Sequence, residues 1–187
     1  MTLLGLPPES LPDQSGVTLE TERLLLRAPR LADAGKIAAL ANDKRIAENT
    51  RRLPHPYTQS DAEDFIASQD AGESVFLIAR RDGEILGLCS IAARRNAGPD
   101  LAPEIGYWLG VAHWNQGYAT EAVRALIDYA FTECGHEALV AGARIENPAC
   151  RRVLEKCGFQ WSGVGLCRIR VLESSAPIDL FRLERGA

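Results

Sequence analysis

The chain has no CxxC pair, no histidine cluster, no internal repeat and no long apolar run. Each absence removes a class of protein. The five cysteines, Cys89, Cys134, Cys150, Cys157 and Cys167, are odd in number, and their spacing fits neither a zinc site nor a disulfide framework. They read as reduced thiols that pack as small hydrophobes. His55, His113 and His136 are widely separated, so no metal is expected. No stretch approaches the roughly 20 apolar residues of a bilayer-spanning helix, so no membrane association is expected. Basic residues do not outnumber acidic ones: net charge is -4, which argues against a general nucleic-acid surface. The opening MTLLGLPPESLPDQSG lacks the basic segment and apolar core of a secretory signal, and its prolines suggest a loose arm over residues 1–16. A cytoplasmic setting is the expectation. No linker divides the rest, so residues 17–187 are expected to form one domain, for which 46% apolar content supplies a core.

Hydrophobic periodicity outlines the elements. Residues 21–27 (TERLLLR) read as a first strand, and 33–42 as a short helix. After a loop with Pro54 and Pro56, Ser60-Asp-Ala-Glu63 has capping-box spacing for a helix that buries Ala62, Phe65 and Ile66. VFLIAR and EILGLCSIA flank a turn at Arg81-Asp82-Gly83. In the strand EIGYWLGV (104–111), Ile105, Tyr107, Leu109 and Val111 share a face. The helix over 117–134 carries an apolar stripe and ends at Gly135. ALVAGAR (138–144) is a short buried strand, and Asn147-Pro148 caps a helix that ends at Gly158. A last hairpin follows Phe159. Strand, helix, strand at this length implies parallel strands. The expected fold class is mixed α/β, a largely antiparallel sheet with one parallel pair, flanked by helices.

The informative segment is HWNQGYATEAV (113–123), which has one glycine and neither lysine nor arginine. A turn into a helix N-terminus presents amides without internal partners and the positive end of a macrodipole, which together can hold a phosphate. By itself the segment equally describes an ordinary helix start.

EIGYWLGVAHWNQGYATEAVRALIDYAF followed by RIENPACRRVLEKCGF resembles the GNAT superfamily of acetyl-CoA-dependent N-acetyltransferases. LETERLLLRAPRLAD and LPHPYTQSDAEDFI resemble its RimJ/RimL-like branch of ribosomal-protein N-terminal acetyltransferases. The resemblance runs from Thr18 to the C-terminus. It implies a sheet splayed between two parallel strands, with acetyl-CoA as cosubstrate and a primary amine as acceptor. It further implies backbone contacts to the cofactor arm from Leu109 and Val111, and a pyrophosphate cradle at Gln116, Gly117, Tyr118, Ala119 and Thr120. Asn147 would reach the arm. Trp114 departs from the arginine or glutamine usual at the first cradle position. The tyrosine that many members use as an acid is replaced by Leu154, and the serine common in the branch by Cys150. Glu104 is the candidate base, with an exposed strand-end carboxylate as the alternative, and Cys150 is the candidate acid, with a helix residue packed in the core as the alternative. Tyr107 and Trp108 read as core or pocket wall rather than catalysts. His55 lies where the branch often forms part of an acceptor site, with an ordinary loop histidine as the alternative. The resemblance implies a peptide or small molecule as acceptor, and a monomer or homodimer is expected. The leading expectation is a direct-transfer N-acetyltransferase; the rival is a non-catalytic acyl-CoA-binding or regulatory module.

Overall fold

The computed structural model describes residues 16–68, 72–93 and 102–186. The arm expected over residues 1–16 falls, apart from Gly16, outside them. In chain order the elements are β1 (Thr18–Glu20), β2 (Leu24–Arg27), α1 (Ala34–Ala41), α2 (Lys44–Ala47), α3 (Gln59–Ala67), β3 (Glu73–Arg80), β4 (Ile85–Ala92) and β5 (Glu104–Leu109). Then come α4 (Tyr118–Thr132), β6 (Ala138–Arg144), α5 (Pro148–Lys156), β7 (Gln160–Ile169) and β8 (Ser174–Glu184). The strands form one sheet in the order β1-β2-β3-β4-β5-β6-β8-β7. Every pairing is antiparallel except β5 with β6. The mixed α/β class and the parallel pair are as the sequence implied.

Alternation along the strands builds a core on each side of the sheet. Leu24, Leu26, Phe76, Ile78 and Ile105 face a cluster with Val123, Leu126 and Ala130 of α4 and Leu154 of α5. Val75, Leu77 and Leu88 face a second cluster with Ile37, Ala41 and Ala62 of α1 and α3. The central strands are thus covered by helices on both faces, and consecutive residues of β5 point to opposite layers. Tyr129, beyond the stripe read from the sequence, is also buried, its ring 5.5 Å from that of Phe76 and nearly perpendicular to it.

Several boundaries differ from the sequence reading, for local reasons. The strand read over 21–27 begins only at Leu24, and a separate strand, Thr18–Glu20, precedes it; at the bend between them Thr21 hydrogen-bonds to Glu121. The first helix is preceded by a 3-10 turn over Leu31–Asp33, where the Asp33 carboxylate accepts from both terminal nitrogens of Arg27 and from the Arg30 amide. The capping box of α3 uses Thr58 and Asp61 rather than Ser60 and Glu63. The buried Tyr57, whose amide donates to Asn42 Oδ1 at 3.0 Å, anchors the chain there and starts the helix earlier. The short α2, not anticipated, is capped by Asp43. Val111 is not on β5; it opens a 3-10 turn over Val111–His113.

Candidate active site

The parallel pair holds at one position only, Glu104 opposite Val140, with the Val140 amide donating to the Pro103 carbonyl at 3.0 Å. Past it the strands separate. Gly106 and Gly142, the next residues to carry no side chain on the two strands, are both exposed and leave the gap open. Backbone alternation turns the Tyr107 peptide groups and the Leu109 amide into that gap, where no ladder partner follows. The gap belongs to a cleft of about 1180 Å³, above the roughly 300–1,000 Å³ of a pocket for one small ligand.

The turn before α4 is shaped by left-handed backbone at Asn115 (φ 60) and Gly117 (φ 81). Glu121 is the first residue of α4 whose amide has a carbonyl partner, Gly117, at 3.1 Å. The preceding amides have no helical acceptor. Arg23, just before β2, organises the turn from behind. It donates to the Gln116 carbonyl at 3.0 Å and pairs with Glu121 at 2.7 Å, and its guanidinium lies 4.5 Å from the Tyr118 ring centroid. Glu121 would otherwise place a negative charge in the first turn. Burial raises its pKa, yet hydrogen bonds from Thr21 and Arg23 leave the carboxyl below its ordinary value, ionised and turned away. The cleft side of the turn keeps its positive potential.

Asn115, Gly117, Tyr118, Ala119 and Thr120 line the cleft; Gln116 and Val111 do not. The Gln116 side chain folds back to donate to the Ala112 carbonyl at 2.9 Å. The Val111 carbonyl accepts from the Trp114 amide. Trp114 has its own structural role, its indole N–H donating to the Leu109 carbonyl at 2.8 Å. Of the two backbone positions read from the sequence, the Leu109 amide therefore remains directed to the gap, and Val111 has left the strand.

Asn147 caps α5, its Oδ1 accepting from the Cys150 amide at 3.1 Å, and it lines the cleft. The half-buried Cys150 thiol lies 3.1 Å from the Tyr107 hydroxyl. Burial pushes both groups above their ordinary pKa, so each stays protonated at neutral pH. Leu154 is fully buried and packs in the α4/α5 core. Glu104 projects to the other face, where its Oε2 accepts from Arg51 at 2.8 Å. The wall there includes Arg52, Leu53, Tyr57, Phe65 and Ser90. Candidate base and candidate acid thus lie on opposite faces of the sheet, and the gap joins the two.

Two side chains in contact with the candidate residues were missed by sequence reading. Arg51 has no motif and reaches Glu104 across 53 residues. Tyr107 read as core or wall because its only signal was strand alternation, yet it carries the hydroxyl beside Cys150. His55 is exposed and does not line the cleft.

Residues 23–160 match the acetyltransferase (GNAT) domain family. The chain belongs to the GNAT acetyltransferase family. Among curated proteins, it is 31% identical to the uncharacterized N-acetyltransferase p20 of Bacillus licheniformis, over 79% of this chain and 84% of that one. Among solved structures, a GNAT-family acetyltransferase from Bacillus anthracis superposes with TM-score 0.78 at 21% identity, covering 91% of this acetyltransferase and 100% of that chain. RimJ of Mycobacterium smegmatis, solved in complex with CoA-disulfide, superposes with TM-score 0.76 at 19% identity, covering 95% and 88%. These two likenesses concern the fold.

Proposed function

We propose that this N-acetyltransferase transfers the acetyl group of acetyl-CoA to a primary amine by direct attack in a ternary complex. The observation that carries this reading is the gap between β5 and β6, reached from both faces of the sheet, with unpartnered α4 amides at one side and Glu104 at the other. The residues fit the cosubstrate. Gly117 keeps the turn free of a side chain, Glu121 is neutralised by Arg23, and the free backbone edge of β5 offers hydrogen bonds to an amide-bearing arm.

Acetyl-CoA supplies an activated thioester, and the protein supplies position and protons. Glu104, directly or through a water, accepts a proton from the amine, which attacks the thioester carbon as the C–S bond breaks. Cys150, with Tyr107 hydrogen-bonded to its sulfur, donates toward the leaving sulfur. Positioned proton transfer contributes about 10²–10⁴-fold, whereas holding the reactants in attack geometry contributes roughly 7–11 kcal/mol. Positioning therefore carries the larger share, and Leu154 in place of an acid is compatible with turnover. An α-amine, with pKa of about 7.7–8.0, is partly neutral at pH 7, unlike lysine at about 10.4. This favours an α-amine, such as a peptide N-terminus, as acceptor.

An acetyl-CoA thiol-release screen over N-terminal peptides, polyamines and amino acids tests the proposal. Acceptor-dependent release is expected. Tight acetyl-CoA binding with no release from any amine would favour a non-catalytic module. An acetyl group trapped on Cys150 during turnover would overturn direct attack.

A further inference from the structure

Charge pairing leaves few cations of the cleft wall without a carboxylate ion pair among the described residues: Arg170, after β7, and one flank of α5. Most arginines around the cleft have a carboxylate partner: Arg23 with Glu121, Arg51 with Glu104, Arg52 with Glu73 and Arg144 with Glu146. On the far flank of α5, Arg151 pairs with Glu155 and Asp179. Arg152 and Lys156, one turn apart, have no carboxylate partner among the described residues, and both line the cleft. Two like charges at i and i+4 are unfavourable on an isolated helix. A third cation adds to them: Arg124 of α4 donates to the Lys156 carbonyl at 3.0 Å. The Cys157 thiol, 3.7 Å from the Thr120 carbonyl, fixes this end of α5 against the first turn of α4. An uncompensated cationic patch therefore borders the phosphate cradle itself.

We propose that Arg152 and Lys156 bind the 3′-phosphate of coenzyme A, so that the enzyme distinguishes coenzyme A from its 3′-dephospho form. The inference rests on the acetyl-CoA reading above. Coenzyme A carries two separate anionic groups, a pyrophosphate and a phosphomonoester. The turn before α4 has backbone amides for one of them, and no cation of its own on the cleft side, because Arg23 is committed to Glu121 and the Gln116 carbonyl. A phosphomonoester bears a charge of about -1.5 to -2 near neutral pH. Such a group calls for charge-assisted donors, and Arg152 and Lys156 are unspent ones on the adjoining wall. Their exposure lets both side chains adjust without disturbing the buried face of α5 at Leu154.

Calorimetric titration of the full chain with coenzyme A and with 3′-dephospho-coenzyme A tests this, in the native protein and in an R152Q/K156Q double variant. Native protein should bind coenzyme A at least about tenfold more tightly than the dephospho form. The double variant should bring the two within about twofold, with affinity for the dephospho form retained. Equal affinities in the native protein, a preference that survives in the variant, or equal loss of both ligands would each overturn the assignment. Failure of the native protein to bind either molecule would instead overturn the acetyl-CoA reading, and the assignment with it.

Discussion

Gly117→Ala isolates the backbone conformation on which the cradle depends. At φ 81 a β-carbon is opposed by its own carbonyl, which costs about 1–2 kcal/mol for a residue other than glycine. The added carbon would also stand 3.3 Å from Arg23 Nη2. That atom is the far end of a flexible side chain and can yield, but the same guanidinium holds the Gln116 carbonyl and Glu121. If the turn stays in place, the strain appears in stability, at about 2–4 °C of Tm per kcal/mol in a domain this size, or about 2–8 °C. If the turn relaxes, the same energy is lost from binding, and acetyl-CoA affinity falls about 5–30-fold. Asparagine tolerates the left-handed region, so Gly117→Asn should lose less. Thermal melting and acetyl-CoA titration of the three proteins separate the outcomes. Native melting together with native affinity in Gly117→Ala would refute the reasoning. Equal damage from asparagine would assign the loss to side-chain size beside Arg23 rather than to φ.

Glu104→Gln should lower kcat by about 10²-fold at low pH, with the deficit shrinking toward pH of about 8, where an α-amine is neutral without help. A pH–rate profile parallel to the native one would remove Glu104 as base. Cys150→Ala should lower kcat by about 10²-fold with little change in KM for acetyl-CoA, and Tyr107→Phe should lower it less. Because burial raises both pKa values, native activity should not fall through loss of these protons until above the ordinary thiol value of about 8.5. Native kcat in Cys150→Ala would show that the thiol only packs. Asp33→Asn should cost about 1.5–3 kcal/mol, or about 3–12 °C of Tm, at pH 7. Hydrogen bonding from Arg27 lowers the Asp33 pKa below its unfolded value, so its contribution is present above about pH 4 and lost as pH falls through the lowered value. The native protein and the Asp33→Asn variant should therefore converge in acid, and an equal difference at pH 7 and at low pH would contradict the pairing.

Local signals were readable where one stretch of chain decides its own conformation. Asn147-Pro148 had to cap a helix, because the side-chain acceptor and the proline both act within one turn, and Asn147 does so. Gly135 and Gly158 end their helices at φ 70 and φ 92, as their positions implied. The α4 stripe was legible because its apolar spacing repeats over four turns. Boundaries moved where a distant partner intervened. Thr58 rather than Ser60 caps α3 because Asn42 holds Tyr57, and the strand read from Thr21 starts only at Leu24 because Glu121, 98 residues away, takes the Arg23 amide.

The sequence by itself determined the mixed sheet, the helix start at Gly117 and the cap at Asn147, since periodicity, turn chemistry and capping are properties of neighbouring residues. Only the tertiary structure decided which residues share the cleft. It put the Tyr107 hydroxyl against Cys150, assigned Arg51 to Glu104, spent Arg23 behind the cradle and left Arg152 and Lys156 without an acid among the described residues. Such pairings depend on which strands part and which helix flank faces the gap, and long-range packing sets both.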